Sequence, residues 1–254
     1  MEIRKTTCLL LFIVLCFNNL SAQTKVIAHR GYWDCDGSAQ NSIASLQKAQ
    51  ELKIYGSEFD VWMTLDSVLI INHDGVIEGL KIEDTPYTRL KDTRLKNGEV
   101  LPTLATYLQQ GKKDKKTKLI LEIKPHKTKE NEDKAVVAIL KMVKEFGMKK
   151  QTEYISFSLN ICKELVRLDS KAKVAYLNGN LTPQELKALK ITGIDYDLDV
   201  LKKNKQWIEE AHKLNMTVNV WTVNNETDMQ EMIAAGVDFI TTNKPALCKK
   251  LVQK

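Results

Sequence analysis

Short apolar runs alternate along the chain with longer segments in which apolar positions recur every three to four residues. Runs of the first kind, rich in β-branched and aromatic residues, are typical of strands, and the second spacing is typical of amphipathic helices. The pattern predicts strands at 25–30, 57–64 with an extension at 67–72, 118–125, 152–158, 173–178, 191–197, 217–223 and 237–243. It predicts helices at 42–53, 103–110, 130–147, 160–169, 182–189, 203–214, 225–235 and 245–252.

Eight strands that alternate with eight helices indicate an α/β protein, and the number favours a (β/α)8 TIM barrel. No linker rich in Pro, Gly or Ser divides residues 23–254, so we interpret them as one domain. The segment 74–102 is polar and turn-rich, and it is predicted to be a small insertion after strand 2 that covers the barrel mouth. An open doubly wound sheet shares the alternation, but no glycine-rich loop follows the first strand, which makes that fold the weaker alternative.

Residues 1–22 have a different character from the rest of the chain. Arg4 and Lys5 precede the apolar stretch CLLLFIVLCF, which is followed by polar residues. This order is typical of a secretory signal peptide, and the apolar stretch is too short to span a bilayer comfortably. We expect cleavage near Ala22 and a protein exported to the periplasm or the extracellular space. Cys16 offers a lipoprotein alternative, which the bulky residue before it disfavours.

Composition and charge narrow the classes of partner that we expect for this protein. The apolar content of 43% is enough for a sizeable core, and the formal charge of +6 is modest. The lysine-rich segment 112–118 is predicted to be a solvated loop rather than a docking patch for anions. Basic and aromatic residues are not interleaved, so we expect neither nucleic acid as a partner nor stable insertion into a membrane. The three cysteines that follow residue 22 are widely scattered and argue against a disulfide framework.

Carboxylates mark the second and third predicted strands. Glu58 and Asp60 are two residues apart on a strand, so their side chains point to the same face. Glu122 lies on the next strand, and Lys124 shares its face. In a TIM barrel the functional residues gather at the carboxyl ends of the strands, so we expect these groups at one rim. Carboxylates that meet there need a cation between them, and a hard divalent ion such as Mg²⁺ or Ca²⁺ takes oxygen ligands.

Two histidines accompany these carboxylates. His29 and Arg30 end the first strand, and His73 follows the extension of the second. An imidazole titrates near neutral pH and therefore suits a general acid or base. A metal site flanked by such groups, with Arg30 and Lys124 to balance negative charge, indicates chemistry on a phosphate ester.

The motifs VIAHRG, SEFDVWMT, INHD, LEIKP, VWTVN and GVDFITTNKP occur in this order and resemble the glycerophosphodiester phosphodiesterase family from about residue 25 to the C-terminus. The resemblance implies a metal-dependent enzyme that hydrolyses small glycerophosphodiesters to sn-glycerol 3-phosphate and an alcohol. It also implies the residue roles: metal ligands Glu58, Asp60 and Glu122; a general acid–base pair, His29 and His73; and phosphate or substrate contacts from Arg30, Lys124 and Trp221.

One motif departs from the family pattern. The family usually has Pro-Glu-Asn-Thr before the first helix, and this chain has Ala39-Gln40-Asn41-Ser42. Gln40 brings no negative charge, whereas Asn41 is kept and is expected to hold the loop or cap the helix.

Two other functions remain as alternatives. The first is a phosphodiesterase of the phosphatidylinositol-specific phospholipase C type, which needs an apolar rim facing a membrane, whereas these loops are polar. The second is a binding protein that has lost turnover, and the presence of both histidines and all three carboxylates argues against it.

Overall fold

A computed structural model describes residues 23–253, so the predicted signal peptide and its Cys16 alternative lie outside the described residues. The described strands are β1 (Lys25–Ala28), β2 (Gly56–Met63), β3 (Leu69–Ile71), β4 (Val76–Ile77), β5 (Leu80–Lys81), β6 (Lys118–Ile123), β7 (Thr152–Ser156), β8 (Val174–Tyr176), β9 (Gly193–Asp197), β10 (Thr217–Trp221) and β11 (Phe239–Thr242). Eight of them pair in parallel, in the order β1, β2, β6, β7, β8, β9, β10 and β11. Because β1 pairs with both β2 and β11, the barrel is closed and the predicted TIM barrel is confirmed.

Helices surround this barrel. The described helices are α1 (Ile43–Glu51), α2 (Leu104–Gly111), α3 (Lys129–Glu145), α4 (Leu159–Leu168), α5 (Pro183–Ala188), α6 (Leu198–Lys203), α7 (Gln206–Lys213), α8 (Glu226–Ala234) and α9 (Pro245–Val252). Polar side chains begin most of them: in α5, Thr182 accepts from the backbone N–H of Glu185, whose side chain accepts from the N–H of Thr182. Among residues 23–253, no helix has both the length and the apolarity that a membrane span requires.

The insertion between β2 and α2 is larger than predicted. The chain reverses near Ser67, at φ +64°, and β3 then runs antiparallel to β2 instead of extending it, which corrects the predicted extension at 67–72. The β4–β5 hairpin and two short 3₁₀ turns follow. The segment packs on its own apolar cluster, made of Ile70, Ile77, Ile82, Leu90 and Leu101. This small core holds the insertion at the mouth of the barrel, where β3 leads directly into His73.

The main core lies between the barrel and the helices. Phe59 of β2 points outward and stacks on Tyr107 of α2, with ring centroids 4.2 Å apart, and both side chains are fully buried. Since side chains alternate along a strand, the neighbours of Phe59, Glu58 and Asp60, point into the barrel. An apolar layer inside the barrel comprises Ile27, Ile120, Ile155 and Phe239. The packing thus directs the acidic residues of β2 inward.

Candidate active site

Three carboxylates meet inside the barrel, as predicted. Glu58, Asp60 and Glu122 each offer an oxygen within 4.8 Å of the others. The parallel register of β2 and β6 places Asp60 beside Glu122, and the two-residue spacing adds Glu58 on the same face. All three are buried, with exposed fractions of 3%, 1% and 7%. The strands therefore hold three acidic groups in a small, dry space.

Lys124 compensates part of this charge. Its Nζ lies 2.7 Å from Asp60 and 2.8 Å from Glu122. Burial by itself opposes the charged ammonium, but the two carboxylates outweigh it and raise the pKa of Lys124. Burial also opposes ionisation of Asp60, yet Lys124 and the Asn41 amide keep the pKa of this carboxyl below its usual value. The ion pair leaves Glu58 as the least compensated member of the cluster.

Glu58 and Glu122 show that the cluster has room for more positive charge. Burial, followed by repulsion from Asp60 and Glu122, raises the pKa of Glu58 well above its ordinary value. Burial and the Asp60 charge raise the pKa of Glu122 to about 8. Oε1 of Glu58 is buried and has no hydrogen-bond partner among residues 23–253. A hard divalent cation would satisfy this oxygen and lower both pKa values, so the residues present fit such an ion.

Asn41 fixes the Asp60 carboxylate. Its Nδ2 donates to Oδ2 of Asp60 over 2.8 Å, and its Oδ1 accepts from the Asp60 N–H over 3.3 Å. The helix cap is the next residue, Ser42, whose Oγ accepts from the N–H of Ser45. Of the two expectations for Asn41, the structure therefore supports holding the loop against the site, and not capping the helix.

Arg30 lies beside the cluster in an unusual backbone conformation. At φ +56° its N–H points to Glu58 and donates to Oε2 over 2.7 Å. Gly31 follows at φ +77°, and a Cβ there would come within 2.2 Å of Oγ of Ser45. The guanidinium donates through Nη1 to Oε1 of Gln40 over 2.8 Å. Gln40 is a neutral amide and positions Arg30 without cancelling its charge, while Nε of the same guanidinium lies 3.8 Å from Oδ2 of Asp60.

His29 is held through Nδ1. The ring nitrogen lies 2.8 Å from Oδ1 of Asn243, and Nε1 of Trp33 donates to the same oxygen over 3.2 Å. Because the indole can only donate, Oδ1 is an acceptor, so Nδ1 of His29 carries the proton and Nε2 keeps its lone pair. Burial, and then the nearby Arg30, lower the pKa of His29 to about 4. The imidazole is therefore neutral at pH 7, with Nε2 unprotonated.

His73 approaches the cavity from the insertion. Its Nδ1 lies 2.7 Å from the Asp74 carboxylate, which can only accept while ionised, so Nδ1 is the donor. Trp62 adds a bond from Nε1 to the His73 carbonyl at 3.3 Å. The His73 side chain is 41% exposed. The two histidines thus enter the same space from different segments and in different environments.

The cavity that these groups share has a volume of about 120 Å³. Trp221 forms part of its wall, donates from Nε1 to the Asp195 carbonyl over 2.9 Å, and meets Phe157 edge to face at 5.5 Å. The lining includes the predicted site residues His29, Arg30, Glu58, His73, Glu122, Lys124 and Trp221. The lining therefore combines charged and polar groups with two aromatic rings.

Other candidates have structural roles. His126 is buried; its Nδ1 donates to the Lys124 carbonyl over 2.7 Å, and its Nε2 accepts from the Met63 N–H over 3.2 Å. His212 is exposed and pairs with Asp238. Asn243, which holds His29, was not predicted from the sequence. The sequence signal for Asn243 was weak, because it consists only of a polar residue directly after the last barrel strand.

Comparison with known proteins agrees with this geometry. The model of the glycerophosphoryl diester phosphodiesterase family matches residues 29–247. A glycerophosphodiester phosphodiesterase from Caldanaerobacter subterraneus subsp. tengcongensis is 28% identical over 248 residues, which is 91% of this chain and 99% of the relative.

Solved structures extend the comparison. A glycerophosphodiester phosphodiesterase from Parabacteroides distasonis superposes with a TM-score of 0.90 at 50% identity, over 91% of this chain and 97% of that one. A phosphodiesterase from Oleispira antarctica, in complex with the product sn-glycerol-3-phosphate, has the same fold, with a TM-score of 0.79 at 22% identity over 91% and 98% of the two chains. The family model covers most of the chain, and the chain therefore belongs to the glycerophosphoryl diester phosphodiesterase family.

Proposed function

We propose that this enzyme hydrolyses glycerophosphodiesters to sn-glycerol 3-phosphate and an alcohol. The observation that carries the proposal is that two histidines, two cationic side chains and a cluster of three buried carboxylates, two of which line the cavity, converge in a chain of this family. The related Oleispira antarctica phosphodiesterase has sn-glycerol-3-phosphate bound as its product, which supports the same product here.

Glu58, Asp60 and Glu122 would hold one divalent cation, Mg²⁺ or Ca²⁺. All three offer carboxylate oxygens, the ligands that these ions prefer, and water and substrate oxygens would complete the set. A cation held by these carboxylates would supply Lewis-acid chemistry to the phosphoryl group. The unpartnered oxygen of Glu58 and the raised pKa of Glu122, about 8, support this assignment.

Arg30 and Lys124 stabilise the charge that develops on the phosphate. A phosphodiester carries one negative charge, and its non-bridging oxygens gain more as the nucleophile attacks. The neutral amide of Gln40 holds Arg30 through Nη1, and Nε of Arg30 lies 3.8 Å from Oδ2 of Asp60, a carboxylate that Lys124 also contacts. Positively charged donors that are already in place at the start of the reaction cost no reorganisation, which makes their stabilisation effective.

The histidines divide the proton transfers between them. His29 is neutral, and its Nε2 is free to accept, so it takes the proton from the nucleophile. His73, oriented by Asp74, gives a proton to the departing alcohol oxygen. The nucleophile is water or the neighbouring glycerol hydroxyl. The aromatic wall of Trp221 and Phe157 supports the carbon atoms of the glycerol group.

A turnover assay tests this proposal. Purified protein, glycerophosphocholine and Mg²⁺ or Ca²⁺ are incubated, and sn-glycerol 3-phosphate is measured. We expect His29→Ala and His73→Ala each to lower kcat by on the order of 10²–10⁴-fold. His212→Ala is the matched control, because that histidine is exposed and bonds Asp238 outside the cavity. A wild-type protein no faster than His29→Ala would refute the proposal, and binding without hydrolysis would favour the non-catalytic alternative.

We further propose that the enzyme is exported to the periplasm or the cell exterior. The support is the sequence of residues 1–22, with its basic start and apolar stretch. Mass spectrometry of the protein secreted by its own host checks this. A new N-terminus near residue 23 is expected, an acylated Cys16 would indicate the lipoprotein alternative, and an intact Met1 in cytosolic protein would contradict export.

A further inference from the structure

The end of the barrel opposite the cavity carries an excess of positive charge. Seven connections lead from a helix into the next barrel strand, and in a TIM barrel they all lie at the amino ends of the strands. They contain ten lysines, no arginine and three acidic residues. The lysines, which define what we name the basic face, are Lys53, Lys112, Lys113, Lys115, Lys116, Lys149, Lys150, Lys171, Lys173 and Lys190.

The cavity end has no such excess. Its connections, including the insertion at 64–103, carry nine basic and nine acidic residues. The modest charge of the whole chain therefore conceals a strong asymmetry between the two ends of the barrel. The lysine-rich segment 112–118 alone suggests only a solvated loop, but the fold brings six further lysines from four other connections to the same end.

These lysines are free to meet a partner. All ten are exposed, whereas the three aspartates of the same connections are half-buried. The aspartates are also occupied: Asp114 accepts from the Lys116 N–H over 2.9 Å, and Asp238 accepts from the Val218 N–H over 2.8 Å. The third aspartate pairs with one lysine of the face, and Glu153 pairs with another. The remaining eight lysines have no acidic partner within 4.0 Å among residues 23–253.

A concave region lies within this face. It has a volume of about 560 Å³ and is bordered by Lys112, Lys115, Lys118, Lys150 and Phe146. The Nζ of Lys112 lies 5.8 Å from the centre of the Phe146 ring. Favourable placement near a helix C-terminus explains a lysine such as Lys112, directly after α2. It does not explain Lys115 and Lys116, which lie beyond the last turn of that helix.

We propose that the basic face lies on a bilayer surface rich in anionic phospholipids, with the cavity facing away from the membrane. Lysines clustered near a membrane surface are attracted by its negative potential. Sequence-specific readers of nucleic acid favour the planar arginine fork, and these connections contain no arginine.

Vesicle sedimentation with charge-neutral variants tests the proposal. The first variant replaces Lys112, Lys113, Lys115 and Lys116 with Gln. The matched control replaces the exposed Lys81, Lys91, Lys134 and Lys163 with Gln, which changes the net charge equally but lies outside the basic face. Partition onto phosphatidylglycerol and phosphatidylcholine vesicles is measured at about 0.05 M and about 0.5 M salt, which changes charge screening strongly. Both variants derive from the full-length gene, so residues 1–22 are treated alike.

The expected loss of vesicle binding differs between the two variants. A lysine near an anionic surface contributes about fivefold to the partition coefficient, so the first variant, which lacks four lysines, loses on the order of 10²–10³-fold at low salt and the control loses less than about tenfold. Wild type binds phosphatidylcholine weakly and leaves phosphatidylglycerol at high salt. Turnover of glycerophosphocholine stays the same in both variants, so this result is independent of the proposed catalytic function.

Three outcomes would overturn the proposal. The first is equal binding of the wild type to both lipids, and the second is an equal loss of binding in the two variants. The third is that a short single-stranded DNA displaces the protein from the vesicles at a lower concentration than free phosphatidylglycerol vesicles do. The last would identify a polyanion site for nucleic acid. If the first variant has a lowered melting temperature, the salt and lipid dependence of the wild type decides the question instead.

Discussion

Replacement of Asp195 by Asn is expected to change how the stability of this enzyme depends on pH. Asp195 lies on β9, points into the barrel and is 2% exposed. Its Oδ1 has no hydrogen-bond partner among residues 23–253. Burial raises the pKa of this carboxyl from its ordinary 3.8 to about 7. The folded protein therefore keeps a proton that the unfolded chain releases.

The direction and the magnitude of the effect on stability follow from this pKa. Between about pH 4 and pH 7 the unfolded chain ionises Asp195 and the folded protein does not, so the free energy of unfolding falls as pH rises through this window. A tenfold difference in proton affinity between the folded and unfolded states corresponds to about 1.4 kcal/mol, and a difference of roughly a thousandfold gives about 4 kcal/mol. Asp195→Asn removes the ionisation. The variant should thus gain up to about 4 kcal/mol relative to wild type between pH 4 and pH 8.

Urea unfolding followed by circular dichroism at several pH values between 4 and 8 measures this difference. Asp195→Ala is the control: it leaves a cavity, with a cost at every pH, but it should flatten the pH dependence as much as Asp195→Asn does. Parallel curves for wild type and Asp195→Asn would refute the reasoning, because they would show that the folded state does not hold the proton.

Three further substitutions test the packing and the support of the site. Phe59→Ala should lower the free energy of unfolding by about 3–5 kcal/mol in urea, since it removes a fully buried ring from a stacked pair; a loss under about 1 kcal/mol would contradict the core assignment. Asp74→Asn should lower kcat by roughly 10–100-fold with little change in KM, because His73 loses its orienting carboxylate; an unchanged kcat would exclude that role. Asn41→Ala should raise the metal concentration for half-maximal activity by roughly 10–100-fold, because Asp60 loses two bonds; an unaltered metal dependence would contradict it.

Much of the barrel was predictable because its elements carry local signals. The apolar strands and amphipathic helices alternate, and that alternation determines the fold class. The two-residue spacings in Glu58-Phe59-Asp60 and from Glu122 to Lys124 were enough to predict a shared inward face. The parallel register of β2 and β6 places these two strands side by side, and the TIM-barrel fold class already implies that pairing.

Other features depend on contacts that the local sequence does not show. The direction of β3 depends on a reversal near Ser67, and an apolar run reads the same in either direction. The short helix α6 was not predicted, because the local sequence signal for it is one N-terminal cap, in which Asp197 accepts from the Asp199 N–H. Asn243 holds His29 across 214 positions of the sequence, a distance at which no periodic pattern applies. Such contacts exist only once the barrel has closed.

The central claim is that Glu58, Asp60 and Glu122 bind one divalent cation on which hydrolysis depends. Isothermal titration of Mg²⁺ and Ca²⁺ into chelator-treated protein, with the release of sn-glycerol 3-phosphate followed in parallel, tests it most directly. We predict one ion per chain, recovery of activity as that site fills, and loss of both in Glu122→Gln. Full activity in the chelated protein, or equal metal binding by Glu122→Gln and wild type, would contradict the account.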